Sequence, residues 1–364
     1  MPANKNQHYV PRCHLKPFTL NEENLAIDLF NIDLERVIEK APVKNQCSKD
    51  YFYGKDKDLE NAIQKMESVY ANVLRRVRVK GALTSNEDAK FLTSFWMFQH
   101  LRTEATQQSI LRMSRALENV VGSPHPQISI DGKNATRIAL NAFSSRHYVV
   151  ADTNIILIEN RTSLPFITSD NPAIQTNRWV FSQTSRPSAN FGMLSAGFIG
   201  LLPLAPELLV LMYDKDIYSI EKNKKRLKIT DDFDSRALNE HQYLNCMKNV
   251  YFRGGSDELE IGQKMSTIKN SRMQSKEMVQ IFDRSRDATD KRYYRTDHLD
   301  TSKSGEALLV TTSYSPRPSE WPQFLHWRPN GCYFSNGSGI GQVRRASTLG
   351  RSGVRPFKKL KTGR

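Results

Sequence analysis

Residues 6–18 bring together side-chain types that proton-transfer chemistry uses. Their sequence, NQHYVPRCHLKPF, holds two histidines, two basic side chains and two prolines. Proline restricts the backbone and can hold His8 in a fixed direction. An imidazole changes its protonation state near neutral pH, so His8 is a candidate catalytic residue, acting as general acid or base. The alternative is structural, with His8 and Tyr9 only packing and hydrogen-bonding within the fold.

A second polar stretch follows an apolar run at residues 165–172, which have the sequence PFITSDNP. Sheets present catalytic groups at the ends of strands, and carboxylate oxygens are ligands that Mg²⁺ prefers. Asp170 and Asn171 are therefore candidate catalytic residues, Asp170 is also a candidate ligand for Mg²⁺ or Mn²⁺, and Ser169 is a candidate ligand-binding residue. The same residue types commonly cap backbone donors in turns, and this is the structural alternative.

The third candidate group is polar and lies in a predicted helix that is otherwise rich in aromatic residues. Buried polar side chains need partners. A guanidinium group binds a phosphate or a carboxylate through two parallel hydrogen bonds, which makes Arg102 a candidate catalytic residue. In the structural alternative, Arg102 pairs with a carboxylate such as that of Asp170. Gln99 and Tyr9 complete the predicted set as ligand-binding residues.

The elements that would position these residues begin with a hairpin and two helices. Alternating apolar residues within 25–38 predict an N-terminal hairpin. Apolar positions three and four residues apart predict a helix from Leu59 to Val77. A capping-box pattern at residues 84–87 then predicts a second helix that runs to about residue 119.

From residue 148 onward, short runs rich in β-branched residues predict strands. They occupy residues 148–150, 154–158, 166–168, 198–202, 208–212 and 250–252, and a helix is predicted at 237–247. The sequence therefore predicts a mixed α+β fold, with an N-terminal hairpin, a central helical segment and a β-rich segment that contains a late helix.

Composition divides the chain into three predicted units. Residues 1–260 form a single globular α+β domain, 261–300 a basic extension with a helical pattern, and 301–364 a disordered tail rich in Pro, Gly and Ser. The net charge of the 364 residues is +15. The tail holds 11 Lys and Arg against 2 Asp and Glu, which leaves 42 against 36 in the first 300 residues. Most of the excess positive charge, and with it the predicted contact to DNA or RNA, lies in the tail.

The four cysteines lie far apart and form no Cys-x-x-Cys pair, which indicates a reducing compartment and argues against structural zinc. No signal peptide or membrane span is predicted, since the most apolar stretch, residues 198–213, is interrupted by two prolines. The sequence therefore predicts a cytoplasmic protein without a membrane partner.

Several landmarks resemble, in their order and spacing, those of the largely microbial proteins grouped as domain of unknown function 4238. The resemblance covers about residues 4–255. It is carried by QHYVP at 7–11, Cys47 followed by YFY at 51–53, QHLRT at 99–103, TSDNP at 168–172 and LPLAP at 202–206. It implies a shared fold and a set of site positions, without implying a reaction. The basic region after residue 262 lies outside it.

The leading hypothesis is an enzyme that cleaves phosphodiesters of nucleic acid, in defence against mobile elements. His8 would act as general base, Asp170 would bind Mg²⁺ or Mn²⁺ or orient His8, and Arg102 would stabilise phosphate charge. This hypothesis requires the three side chains to meet in one cleft. The alternative is a non-catalytic nucleic-acid-binding or scaffold protein whose motifs are structural.

Overall fold

The N-terminal residues form two antiparallel strand pairs and a short helix. In the computed structural model the elements are β1 (Asn6–His8), α1 (Arg12–Leu15), β2 (Ala26–Asn31), β3 (Arg36–Pro42) and β4 (Ser48–Asp50). Strands β2 and β3 are hairpin partners with Phe30 opposite Val37, which confirms the predicted hairpin. Strand β1 pairs with β4, where Gln7 lies opposite Lys49. The histidine motif therefore begins in a paired strand, which fixes its backbone.

The structure describes residues 5–81, 83, 85–121, 129–183, 188–221, 226–254, 262, 267–268, 271–272, 277–285, 293–297, 304–337, 341–344 and 356–362. The helices within these ranges are too short or too polar to cross a membrane. All four cysteines of the chain are free thiols.

Four helices follow the N-terminal strands. They are α2 (Lys57–Lys80), α3 (Asn86–Leu101), α4 (Glu104–Val121) and α5 (Gly132–Arg146). Side chains cap the N-termini of the first two: Asp56 accepts hydrogen bonds from the amides of Asp58 and Leu59, and Ser85 accepts one from the amide of Asp88. Asp131 caps α5 in the same way. The first of these helices confirms the prediction from apolar spacing.

The helix predicted to run from residue 85 to about 119 is broken after Leu101, so the prediction of one continuous helix is wrong. Arg102 ends α3 with φ −90° and ψ 0°. The hydroxyl of Thr103 accepts a hydrogen bond from the amide of Thr106 at 3.4 Å and caps the start of α4. The break places Arg102 at the junction between α3 and α4.

The β-rich part forms one sheet of its own and extends the sheet of β2 and β3. Its elements are β5 (Asn154–Asn160), β6 (Thr168–Ser169), β7 (Ile174–Thr176), α6 (Arg178–Gln183), β8 (Ser188–Asn190), β9 (Ile199–Ala205), β10 (Leu208–Tyr213), β11 (Tyr218–Ser219), β12 (Arg226–Ile229), α7 (Asp232–Asn245) and β13 (Asn249–Phe252). A five-stranded sheet has the order β12-β5-β10-β9-β7, and a four-stranded sheet has the order β3-β2-β13-β6. The fold is mixed α+β, as the sequence predicts.

Two local predictions differ from the structure. The run at residues 148–150 is part of a 3₁₀ turn, His147–Val150, instead of a strand. The late helix begins at Asp232, five residues before its predicted start, because the Asp231 carboxylate accepts a hydrogen bond from the amide of Phe233 and caps it. Capping by a polar side chain, which apolar periodicity does not detect, sets this boundary.

The largest hydrophobic cluster joins the histidine motif, the helices and the sheet. Tyr70 of α2 stacks on Phe95 of α3 with ring centroids 3.7 Å apart. The indole nitrogen of Trp96 donates a hydrogen bond to the backbone oxygen of Leu201 in β9 at 3.0 Å. Val10 belongs to the same cluster and is fully buried. The N-terminal motif is thus anchored in the core beside α2 and α3.

The described part of residues 261–364 consists mainly of strands, and the predictions of a helical extension and a disordered tail stay predictions. The strands are β14 (Glu277–Ser285), β15 (Tyr294–Thr296), β16 (Ser304–Pro316), β17 (His326–Trp327), β18 (Cys332–Ser335) and β19 (Lys358–Lys361). This region packs against the rest of the fold. Leu325, which directly precedes β17, is buried in a cluster with Ile199 and Leu211 of the five-stranded sheet. The proposed division at residue 260 stays a prediction.

Candidate functional site

A cleft of about 470 Å³ lies between the N-terminal motif and helix α2. Its lining includes His8 of β1, Arg12 and Cys13 of α1, Tyr53, and Glu67 of α2. The cleft therefore gathers an imidazole, a guanidinium, a thiol, a phenol and a carboxylate from three separate segments of the chain.

Gln7 fixes the backbone on which His8 stands. Its side chain is buried, its Nε2 donates a hydrogen bond to the backbone oxygen of Gly54 at 3.0 Å, and its Oε1 accepts one from the amide of Tyr53 at 2.7 Å. Both polar atoms of the Gln7 side-chain amide thus bind the loop after β4. These two bonds and the pairing of β1 with β4 hold His8 at the edge of the cleft.

The imidazole of His8 is half-buried and has one free ring nitrogen. Its Nε2 has no hydrogen-bond partner among the described residues, and the nearby backbone of Val43 acts to raise the pKa of His8. Burial and then the positive charge of Arg12 lower the pKa of His8, while Glu67 acts in the opposite direction. The lowered pKa favours the neutral ring, and a neutral imidazole with its proton on Nδ1 keeps a lone pair on Nε2 that can accept a proton.

Arg102 lies fully buried behind the cleft and contacts His8 only through the backbone. Its Nη2 donates hydrogen bonds to the backbone oxygen of His8 at 2.6 Å and to Oε1 of Glu67 at 2.5 Å. Its Nε donates to the hydroxyl of Tyr53 at 2.9 Å, and its guanidinium lies over the Phe98 ring at 4.8 Å. The carboxylate partner of Arg102 is Glu67, whereas the structural alternative in the sequence named Asp170. Arg102 thus positions the cleft residues, and its predicted role toward a phosphate stays a prediction.

Gln99 and Tyr9, the predicted ligand-binding residues of this region, contact each other. Gln99 is fully buried, and its Nε2 donates a hydrogen bond to the backbone oxygen of Tyr9 at 2.9 Å. The Tyr9 ring packs on Phe52 with centroids 5.2 Å apart, and its hydroxyl is hydrogen-bonded to Glu104. Burial raises the pKa of Tyr9 well above its ordinary value. Both side chains thus tie the motif to α3 and α4, and their predicted ligand contacts stay predictions.

Asp170 belongs to a different hydrogen-bond network. Its carboxylate accepts hydrogen bonds from the amides of Met247, Lys248 and Asn249 at 2.7, 2.7 and 3.0 Å. Within the described residues, no hydrogen bond or ion pair joins it to His8 or Arg102. Burial raises the pKa of Asp170 to about 6, an effect that these amides oppose. The carboxylate holds the turn before β13, which is the capping role that the sequence offered as an alternative.

Ser169 and Asn171 also bind neighbouring backbone and side chains. Ser169 donates a hydrogen bond from its hydroxyl to Oε1 of Gln242 at 2.7 Å, and the Nδ2 of Asn171 donates to the backbone oxygen of Asn245 at 3.0 Å. The hydroxyl of Thr103 donates to Oδ1 of Asn171 at 3.3 Å. These bonds connect the Asp170 turn to α7 and to the junction after α3. Their predicted roles in catalysis and ligand binding stay predictions.

The candidate residues thus fall into two networks that meet at Tyr9. The backbone oxygen of Tyr9 binds Gln99 of the first network. Its hydroxyl binds Glu104, whose charge contributes to raising the pKa of Asp170 in the second. Among the described residues, no three His, Cys, Asp or Glu side chains are grouped closely enough to hold a metal ion. Asp170 therefore has no described companion for the predicted binding of Mg²⁺ or Mn²⁺.

Glu67 and Cys13 are cleft residues that the sequence analysis did not select. Glu67 lies on α2 between the buried positions Ile63 and Tyr70, so the helical pattern could have placed it on a half-buried face. Burial raises the pKa of Cys13 to about 12, and its thiol is therefore protonated at neutral pH. The group in the cleft that is suited to accept a proton is the imidazole of His8.

These observations define a mixed α+β protein with a histidine-bearing cleft between its N-terminal motif and its first long helix. The chain matches the family model described as "Protein of unknown function (DUF4238)" over residues 6–256, and it belongs to this family. The match includes every cleft residue named above, and the strands from β14 onward lie outside it. Neither a curated protein nor a solved structure matches the chain.

Proposed function

We propose that this protein is a hydrolase that cleaves phosphodiesters of nucleic acid, with His8 as the general base. The observation that carries the proposal is the buried, unpaired Nε2 of His8, whose imidazole lines the cleft. In the tautomer that carries its proton on Nδ1, this nitrogen can take a proton from an attacking water or hydroxyl group. The net charge of +15 favours a polyanionic substrate.

Arg12 supplies the charge that a phosphate would need. Its side chain is exposed in the same cleft, and its Nη2 donates a hydrogen bond to the backbone oxygen of Asn24 at 3.2 Å. A guanidinium beside the reacting phosphate would stabilise the negative charge that develops as the bond to the leaving oxygen breaks. Arg102, which is paired with Glu67, would act indirectly, by fixing the backbone of His8.

The metal-assisted form of this proposal assigns Mg²⁺ or Mn²⁺ to Asp170. Three backbone amides already use its carboxylate oxygens. This arrangement favours a reaction centred on His8, with Asp170 supporting the fold. Assays with either divalent ion and with a chelator distinguish the metal-assisted reaction from the one centred on His8. Only the metal-assisted reaction should stop when a chelator is added.

The test is incubation of the purified chain with labelled single-stranded and duplex DNA and RNA. Replacing His8 with alanine should slow cleavage by a factor on the order of 100 or more, the usual contribution of general base catalysis. His326→Ala is the control, because His326 is exposed in β17 far along the chain from the cleft. Equal cleavage by the His8 variant and the native chain would refute the assignment of His8.

A second candidate is a non-catalytic nucleic-acid-binding protein, and one observation favours it. Strand β19 carries Lys358, Lys359 and Lys361, all exposed, and lysines bind the phosphate backbone without regard to sequence. Replacing all three with alanine should weaken retention of nucleic acid and flatten its dependence on salt. Unchanged retention would refute a contact through this strand. Deleting residues 301–364 would test this contact less cleanly, because the deletion would also remove Leu325, which belongs to the core.

The proposed biological role is defence against mobile elements, in the cytoplasm. It predicts that cells expressing the native chain take up foreign plasmid DNA less efficiently than cells expressing the His8→Ala variant. Equal transformation by both, at equal protein levels, would count against this role.

A further inference from the structure

The cleft lies in a groove between helices α1 and α2. His14 of α1 and Tyr70 of α2 hold the two helices together, since Nδ1 of His14 lies 2.8 Å from the Tyr70 hydroxyl and the rings stack at 6.0 Å. Cys13 and Ala71, which are next to these residues in sequence, line the cleft. A nucleic-acid strand bound beside His8 can therefore extend along these two helices.

Exposed basic side chains follow this groove. Arg12 and Lys16 lie four residues apart on α1 and the 3₁₀ turn that continues it, and both are exposed. Arg75 is exposed on α2, one helical turn beyond Ala71 and on the same face. In the described ranges, no carboxylate lies within ion-pair distance of these three side chains. They form what we term the basic track, consisting of Arg12, Lys16 and Arg75.

The acidic groups near the basic track are largely neutralised. Glu67 is paired with Arg102, and Glu22, beyond the far end, is paired with both Arg78 and Arg253. Glu60 lines the cleft at its opposite end, one helical turn before Ile63 and Gln64. The basic track therefore presents positive charge beside the cleft, which suits a phosphate backbone.

We propose that the basic track binds a single strand of nucleic acid and delivers it to His8, an inference that rests on the proposed function. The Nε2 of His8 is buried, with less than 1 Å² of accessible surface. A reacting group must therefore enter the cleft and displace the side chains that cover this nitrogen, and a strand that is free of a partner can bend into such a cleft more easily than a duplex. The substrate class is then a single-stranded end, loop or gap.

The dimensions fit a short stretch of strand. From Glu67 to Arg75 the α2 helix advances about 12 Å, at roughly 1.5 Å per residue. A cleft of about 470 Å³ lies within the size range of small-ligand pockets. The site therefore holds a few nucleotides, with the phosphates over the track.

The experiment measures binding in the His8→Ala background, so that no substrate is consumed. A fluorescently labelled single-stranded oligonucleotide and the corresponding duplex are titrated, and anisotropy is followed at several salt concentrations. We expect the single strand to bind more tightly than the duplex. Replacing Arg12, Lys16 and Arg75 with alanine should weaken its binding roughly tenfold or more and reduce the salt slope by about 2.

The matched control replaces Lys133, Arg137 and Arg146 of α5 with alanine. These residues are exposed, and their replacement removes the same charge from the same residue types. It should leave binding within about twofold of the parent. Equal weakening by both triple variants, or equal binding of single strand and duplex, would overturn the proposal. Circular dichroism checks folding, and the single reversal Arg75→Glu, at an exposed helix position, serves if the triple variant is unfolded.

The outcomes for the track and for the base are separable. Tight, track-dependent binding without cleavage by the native chain would remove the hydrolase and leave the track as a single-strand contact. Cleavage that depends on His8 but is insensitive to the track variants would remove the track and leave the hydrolase.

Discussion

The carboxylate of Glu67 accepts a hydrogen bond at 2.5 Å from the guanidinium of Arg102, whose side chain is fully buried. The same guanidinium nitrogen donates to the backbone oxygen of His8 at 2.6 Å. A helix α2 residue thus neutralises the charge that holds the candidate base in place. Removing that carboxylate affects both the stability of the fold and the pKa of His8.

Glu67→Gln should destabilise the chain and lower the pKa of His8. The pKa falls because the negative charge of Glu67 raises it in the native chain. The unfolding free energy should drop by about 1–3 kcal/mol, below the full range for a broken buried pair because 26 % of the Glu67 side chain is exposed. Urea unfolding and an NMR titration of the His8 ring measure the two effects. An unchanged His8 pKa would contradict the coupling.

Asp170→Asn should be destabilising even though it removes a buried charge. An amide offers one acceptor oxygen, and its NH₂ group would face a backbone N–H that the carboxylate now accepts from. The loss should be about 2–4 kcal/mol at neutral pH, from hydrogen bonds to a charged group and an unsatisfied donor. Asp33→Asn, at an exposed turn position, is the control. Equal unfolding free energies for the Asp170 variant and the native chain would show that the amides do not depend on this carboxylate.

The Asp170→Asn variant should also change how the stability of the chain depends on pH. Because burial raises the pKa of Asp170 from its ordinary value to about 6, this group favours folding below about pH 4, and the contribution is lost as pH rises to about 6. His14 acts oppositely, since burial lowers its pKa to about 3, and its contribution is lost as pH falls from about 6.5. Without Asp170, stability should therefore fall more steeply between pH 6 and 4, by up to about 1.4 kcal/mol per pH unit. Parallel profiles for variant and native chain would contradict the assignment.

Arg344→Ala should loosen the C-terminal strands. Arg344 is almost fully buried, pairs with Asp152 at 3.1 Å, and donates to the backbone oxygens of Val149 and Ser195 at 2.9 and 3.2 Å. Its loss should cost about 3–5 kcal/mol, the usual effect of breaking a buried ion pair. Thermal unfolding and limited proteolysis measure it, beside Arg328→Ala at an exposed position. Equal protease resistance of the two variants would show that Arg344 does not anchor this region.

The sequence predicts the parts of the site that depend on local patterns. The hairpin, the helix beginning near Leu59 and the capping turn at Asp170 all follow from periodicity or from side chains that bind nearby backbone. The partner of Arg102 does not, because which carboxylate meets it depends on how α2 packs beside α3. Glu67 lies 35 residues away from Arg102 in sequence. Tertiary packing alone selects this pair.

The C-terminal strands escape prediction from sequence for a related reason. Trp321, Phe324, Leu325 and Trp327 follow neither the helical nor the strand period, and prolines and polar residues surround them. Their burial is supplied by another surface, the apolar face formed by residues such as Ile199 and Leu211. A segment without periodicity of its own can thus become ordered when a sheet offers it a complementary face.

That packing limits how far the chain can be shortened for study. A fragment that ends at the family boundary, residue 256, would lose Leu325 and the aromatic side chains that cover this face of the sheet. Water would then meet a contiguous apolar surface, the feature that leads proteins to self-associate or to recruit a companion. Poor solubility of such a fragment would reflect this uncovered sheet and would carry no information about the cleft at His8.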